Sequence, residues 1–257
     1  MFGFCPLASG SKGNAIYVGG RSTKVLIDAG LGPRVLEARL SAIGVALKEI
    51  DAILITHEHT DHIKGLEALA LKGKIPVFSN GETAKAICSL LGQAPKFKIF
   101  STGETFEFGD FEIHPFSIQH DTLDPVGFTI KVESLKLGFC TDLGFATSLV
   151  INHLKRCDYL YLEANHQPSM VHASNRPLIY KQRVLSRQGH LSNDECADIL
   201  AKVAHPGLKH VHLAHLSEEC NAPDLALKII RDKLKENQST AEVSIAPQHT
   251  VGKTIFF

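Results

Sequence analysis

Short apolar runs separated by glycine-rich turns open the chain: FCPLA, NAIYV and KVLID alternate with GSKG and GGRS, a spacing that predicts strands joined in hairpins. The pattern changes at Pro33. Val35, Leu36, Arg39, Leu40 and Ile43 recur at near-helical spacing, with Pro33 suited to the first turn and Gly44 to the C-terminal end. A strand at 52–56, a helix at about 62–71, the strand IPVFS, a helix at 81–91 and the strand KFKIF follow, and TFEFGDFEIHPFSI predicts a hairpin turning at Gly109-Asp110. The second half brings the strands GFTIKV and KLGFCTD, a helix near 144–156, the strand YLYLEA and an irregular stretch from Asn165 to Gly189. A helix opening at Ser192-Asn193, the strand LKHVHLAHL, a helix at about 222–236 and the closing strands AEVSI and TIFF complete the chain.

Strands alternating with helices, and no Pro/Gly/Ser linker, charge run or repeat between the halves, predict one α/β domain spanning 1–257. Two mixed sheets packed face to face with helices outside, a four-layer αββα sandwich, is the simplest layering that covers every apolar face. The 257 residues are long enough for a large core without disulfides or structural metal. With 27 Lys+Arg against 27 Asp+Glu there is no global basic field, which leaves a local basic patch open. Six cysteines without a CxxC pair, and an N-terminus without a basic and then apolar leader, predict a cytoplasmic protein with reduced thiols. The apolar runs are too short for a membrane span.

Fourteen histidines, against 27 acidic residues, are the compositional outlier, and four candidate site residues fall in one hexapeptide. HEHTDH, His57 to His62, follows the strand AILIT directly, where side chains leaving a strand end face a ligand crevice. Chance from this composition would produce HxHxDH on the order of 0.002 times. Imidazole and carboxylate suit zinc, manganese or iron, so His57 and His59 would chelate one divalent ion while Asp61 and His62 reach a second. Two sites need more ligands. His120, Asp142 and His215 each stand at the end of a predicted strand, and Asp142, with two oxygens, can bridge a pair of ions roughly 3.5–4 Å apart.

The HxHxDH motif, followed in order by His120, Asp142 and His215 and preceded by Asp28 after KVLI, resembles the metallo-β-lactamase-fold hydrolases. ASGSKGN (8–14), TDLG (141–144), GHLSN (189–193) and LAHLSEECNAPDLA (213–226) resemble the YycJ/WalJ-type subgroup of bacterial proteins. The resemblance implies the αββα sandwich, a dinuclear site, and a nucleic-acid substrate, with DNA favoured and 5′-to-3′ exonuclease activity expected. His59 stands where redox-active di-iron relatives place a glutamate, which favours hydrolysis. The 73 positions from Asp142 to His215 leave no room for the large helical insertion of RNA-processing relatives.

In tRNA-maturing relatives a His-containing loop like Gly189-His190-Leu191-Ser192 is paired with a glutamate after an earlier strand, a role that Glu163 matches. His190 would then protonate the leaving oxygen, with Glu163 fixing its tautomer and Asp61 joining the reaction; the bland alternative is that Ser192 merely caps a helix. Ser9, Ser11, Lys12 and Asn14 form a turn that either cradles phosphate or satisfies its own backbone. Arg176, Lys181, Arg183 and Arg187 either hold phosphates or form a solvated helix face. Asn165 and His166 follow Glu163 off the same strand, and Asp121 is a candidate to orient the His120 ring. His210 and His212, and likewise His114, read as packed strand positions, while His153, His172, His205 and His249 carry no interpretable spacing. The same metal core serves small phosphodiesters and thioesters, so a small-molecule hydrolase is the nearer rival and a non-catalytic metal-binding module the farther one.

Overall fold

Fourteen strands and eight α-helices make up the computed structural model, which describes Met1–Phe257. The strands are β1 (Gly3–Ala8), β2 (Ala15–Gly19), β3 (Lys24–Ile27), β4 (Ala52–Leu54), β5 (Val77–Ser79), β6 (Phe97–Ile99), β7 (Phe106–Phe108), β8 (Phe111–Ser117), β9 (Val126–Val132), β10 (Leu135–Cys140), β11 (Tyr159–Glu163), β12 (His210–Ala214), β13 (Glu242–Ile245) and β14 (Ile255–Phe256). They form two seven-stranded sheets, ordered β14-β1-β2-β3-β4-β5-β6 and β13-β12-β11-β10-β9-β8-β7. Both sheets are mixed, for the same reason. Neighbours joined by tight turns, such as β1–β2, β2–β3, β7–β8 and β9–β10, run antiparallel, whereas β3–β4–β5–β6 and β10–β11–β12–β13 run parallel and are joined by longer, helix-bearing crossovers. The expected α/β class with two mixed sheets flanked by helices is present.

The chain divides into two compact units. The first comprises Met1–Pro115, Thr122–Val126 and Ala246–Phe257. Its core joins Leu7, Tyr17, Leu26 and Ile53 from the strands to Leu36 and Leu40 of α1 (Pro33–Ala42) and Ile87 of α3 (Gly81–Leu91), all but excluded from water. The second comprises Phe116–Asp121 and Gly127–Ile245. There Leu160, Leu162, Val211 and Leu213 of β11 and β12 pack with Val150 and Leu154 of α4 (Ser148–Leu154), Cys196 and Leu200 of α7 (Asn193–Val203) and Ile230 and Leu234 of α8 (Pro223–Glu236). β11 and β12 are buried at every position, on both faces, although β12 carries His210 and His212 among its apolar residues and β11 ends in Glu163.

Three expectations are corrected. The helix at 62–71 is two pieces, α2 (Thr60–Ile63) and a π-helical stretch at Glu67–Lys72. Gly65 separates them because its amide donates to Ala29 O at 2.7 Å, and a Cβ there would stand 2.5 Å from Leu31 O. The irregular stretch from Asn165 contains two helices, α5 (Pro168–Ala173) and α6 (Leu178–Val184), each too short to show a helical period in the sequence. His120 does not end its strand: β8 stops at Ser117, three residues earlier.

Candidate metal centre

In the first unit, the parallel pairing of β3 with β4 brings Asp28 and Thr56 together, each just past its strand end. The buried Asp28 carboxylate accepts from Thr56 N at 2.9 Å, from Thr56 Oγ1 at 2.9–3.1 Å and from His62 Nδ1 at 2.8 Å. A carboxylate only accepts, so His62 carries its proton on Nδ1 and its lone pair on Nε2. The Asn14 amide, donating to that Nε2 at 2.9 Å and to Asp61 Oδ2 at 3.1 Å, agrees with this tautomer. His57 is held in the same way through Thr56 Oγ1, 3.0 Å from its Nδ1. The Nε2 of His57 lies 3.1 Å from the Nδ1 of His59. Two nitrogens bound tetrahedrally to one ion at about 2.05 Å would stand roughly 3.3 Å apart, so this pair is spaced for a shared cation.

His59 ends the extended backbone before α2, which puts Asp61 and His62 in the first helical turn. Gly30 supports that turn from behind: Asn14 N donates to Asp61 O at 2.7 Å, and a Cβ on Gly30 would overlap that oxygen. Asn14 also bonds Gly10 N and Gly10 O, while Lys12 N donates to Gln248 Oε1 and Gly13 N to Gly10 O. Of the two readings of this turn, the self-satisfied one describes its backbone, and Asn14 adds a grip on Asp61 and His62.

In the second unit the C-terminal ends of three adjacent parallel strands, β10, β11 and β12, deliver Asp142, Glu163 and His215 side by side. One ligand atom each from Asp142, Glu163, His190 and His215 lies within 4.8 Å of all the others. Glu163 is completely buried and accepts four hydrogen bonds: Oε1 from His190 Nδ1 at 2.8 Å and His215 Nδ1 at 2.9 Å, Oε2 from Leu143 N at 2.8 Å and Leu191 N at 3.2 Å. Burial alone would raise its pKa, but the His190 charge and the bonds from both imidazoles outweigh it and hold the carboxylate ionised, at about 2. Both rings therefore carry their proton on Nδ1 and turn Nε2 away from Glu163. The sequence pattern paired Glu163 with His190 alone, and its hold on His215 emerges from the fold.

His120 Nδ1 donates to the carbonyls of Gln188 and Gly189, both at 3.1 Å, so these backbone groups orient the ring. Asp121, expected in that role, stands on the other side, with Oδ1 3.4 Å from His120 Nε2 and Oδ2 held by Arg183 Nε at 2.6 Å. Gly189 is required where it stands, because a Cβ would meet Arg183 O at 2.2 Å and Val184 O at 2.3 Å. An amide network fixes the surrounding loops: Asn193 and Asn221 bond each other reciprocally at 2.9 Å, Asn221 Nδ2 reaches Ala164 O and Asn165 O, and Asn165 Nδ2 reaches His215 O at 2.7 Å. Asp28, Asp142 and His215 all have left-handed backbone, with φ of 61°, 57° and 56°. Asp and His tolerate this region better than most residues, and held strain of this kind clusters at functional sites.

Other candidates resolve individually. Ser192 does cap α7, in a capping box with Glu195, and His190 precedes that cap while bonding Glu163, so both readings of the loop hold at once. Arg176 pairs with Glu219 at 2.5 Å, Lys181 donates to His172 O, and the Arg187 guanidinium lies 4.0 Å from the Phe145 ring centre. His210 is buried and bonded to Ser244 Oγ at 2.8 Å, with the buried His212 ring 4.6 Å away, as expected of packed strand positions. His114 is only half-buried and pairs across its hairpin with Thr105.

A family model described as "Beta-lactamase superfamily domain" matches residues 23–215. The chain belongs to the β-lactamase superfamily. Within it, the chain is 38% identical over 236 residues to "Exodeoxyribonuclease YycJ" of Bacillus anthracis, covering 91% of this chain and 89% of that one. It is 34% identical over 229 residues to "Exodeoxyribonuclease WalJ" of Streptococcus pneumoniae, covering 88% and 85%. The metallo-β-lactamase-fold protein YhfI of Bacillus subtilis shares the fold with a TM-score of 0.74 at 18% identity, over 96% of this chain and 97% of that one. This protein is thus a metal-dependent hydrolase of the superfamily. Its donor chemistry agrees: in each unit buried carboxylates fix imidazole tautomers so that lone pairs are presented, the arrangement by which proteins hold divalent ions. No helix is long and apolar enough to cross a membrane.

Proposed function

We propose that this chain is a cytoplasmic exodeoxyribonuclease that hydrolyses DNA from the 5′ end, one nucleotide at a time. One observation carries the reading: a relative named as an exodeoxyribonuclease matches 91% of the chain at 38% identity. In this reading the expected donors His57, His59, Asp61, His62, His120, Asp142 and His215 would hold divalent ions, with zinc or manganese suited to the nitrogen-rich set. When bound, such ions make a water acidic enough to attack at neutral pH and offset charge gathering on the phosphoryl oxygens. Asp61, gripped by Asn14 at 3.1 Å, would be held in place both as a donor to such an ion and to orient the attacking water.

His190 supplies the proton that the departing oxygen requires as its bond to phosphorus breaks. Its Nδ1 proton is committed to Glu163 at 2.8 Å, so the proton transferred is the one on Nε2. Glu163 stays ionised throughout and stabilises the charged ring.

The test is to incubate metal-replete protein with 5′-labelled single- and double-stranded DNA, matching RNA and a generic phosphodiester. Mononucleotides released from the 5′ end of DNA are expected. Asp142→Ala should abolish turnover and reduce bound metal, whereas His190→Ala should slow turnover by about 10²–10⁴-fold with metal content retained. Full activity in Asp142→Ala, or cleavage of the generic ester alone, would overturn the reading.

A further inference from the structure

Two of the three arginines between Arg176 and His190 are neutralised by a carboxylate. Arg176 pairs with Glu219 and Arg183 with Asp121, whereas the Arg187 guanidinium makes no hydrogen bond or ion pair within the protein. It lies instead 4.0 Å from the ring centre of the half-buried Phe145, on an exposed side chain. Stacking on an aromatic face fixes the plane of a guanidinium and leaves its N–H groups, which radiate within that plane, free to donate. Arg187 is thus both uncompensated and oriented. A solvated arginine is only the first.

Both partners of this stack are tied to the cluster of the second unit. Phe145 stands three residues after Asp142, and Gly144 between them packs so closely on the other loop that a Cβ would meet Arg187 O at 2.2 Å. Gly144 N also donates to Gln119 O at 2.8 Å, one residue before His120. From the other side, Gln188 and Gly189, the two residues after Arg187, aim their carbonyls at His120 Nδ1, and His190 follows directly. With consecutive Cα atoms about 3.8 Å apart, the Arg187 Cα lies at most about 11 Å from that of His190. The positive charge is therefore fixed beside the group to which the departing oxygen is assigned.

Building on the nuclease reading and on the role given there to His190, we propose that Arg187, held flat by Phe145, grips the DNA phosphate next to the one being cleaved. An extended strand with its scissile phosphate at His190 brings a neighbouring phosphate within reach of the guanidinium, whose paired N–H groups match two phosphate oxygens. Such a contact positions the strand and reads no base. Arg187 is in this role a binding residue, and its effect falls on affinity rather than on the chemical step.

The test uses metal-replete full chain mixed rapidly with labelled single-stranded oligothymidylate at several NaCl concentrations. Anisotropy before products form gives Kd, and the single-turnover time course gives the cleavage rate. One phosphate contact on a single strand contributes about 0.7 to the slope of log Kd against log [NaCl], equivalent to about fivefold in affinity at 0.1 M salt. Arg187→Ala should lose that slope and that affinity. Arg187→Lys, which keeps the charge, should recover the slope, and Phe145→Leu, which removes the aromatic face, should keep the slope while weakening affinity about two- to threefold. Arg176→Ala, whose charge is paired with Glu219, should leave Kd where it is.

An unchanged slope in Arg187→Ala, or an equal loss in Arg176→Ala, would overturn the proposal. So would a fall in cleavage rate and bound metal with the slope intact, because the stack would then serve only to hold the loop that orients His120. Wild-type protein that binds the oligonucleotide through Arg187 yet leaves it whole refutes the nuclease reading and keeps the contact. Cleavage of DNA with no slope difference in Arg187→Ala refutes the contact and keeps the nuclease reading.

Discussion

Two buried carboxylates, Asp28 in the first unit and Glu163 in the second, have parallel duties but different reach. Each sits at the end of a parallel strand and accepts an imidazole Nδ1 proton. Asp28 holds His62 directly and reaches His57 only through the Thr56 hydroxyl, whereas Glu163 holds His190 and His215 with the same oxygen. The lesson concerns redundancy. Where a hydroxyl stands between carboxylate and ring, two groups share the hold on the rings and one deletion leaves the other in place; where a single oxygen serves two rings, one deletion frees both and strands two backbone amides as well.

That difference can be broken experimentally. Glu163→Ala should have the largest effect: about 3–5 kcal/mol of stability lost, because a buried, fully bonded charge leaves its partners unpaired, together with at least about 10³-fold in turnover. Thermal melting and single-turnover kinetics check both numbers. Thr56→Val should cost less, about 1–3 kcal/mol, and weaken metal affinity roughly 10–100-fold, read by competitive chelation. A Thr56→Val loss equal to that of Glu163→Ala would erase the contrast between the units.

The smallest effect sharpens the comparison through pH. Burial pushes the His166 pKa below its ordinary 6.5, against a smaller opposing pull from Glu163. The unfolded chain thus takes up a proton near 6.5 that the folded chain declines, so the stability His166 contributes is complete above that pH and declines as pH falls. Denaturant melts of wild-type protein and His166→Gln between pH 7.5 and 5.5, a window of about one unit either side of that value, should show a shallower slope in the variant.

The first-unit cluster is largely legible in the sequence, because His57, His59, Asp61 and His62 are neighbours in the chain and follow a recognisable apolar strand. Asp142 and His215 are legible as residues near strand ends, though their left-handed backbone is not. Asn14, Asn193 and Asn221 were not distinguishable from ordinary turn and cap residues, since an amide states nothing about its partner until a second segment arrives. The same holds for the carbonyls of Gln188 and Gly189 that orient His120: every residue has such a carbonyl, and only folding aims it.

By itself the amino-acid order determined the alternation of strands and helices, the mixed character of the sheets and the residue types available as metal donors. These follow from local periodicity, turn chemistry and short-range spacing, which act within a few residues. Tertiary structure alone decided that Glu163 also serves His215, 52 positions away, and that a buried His166 borders an acidic cavity at the start of α7. Hydrogen bonds and electrostatic fields act across ångströms of space, and distance along the chain does not set them.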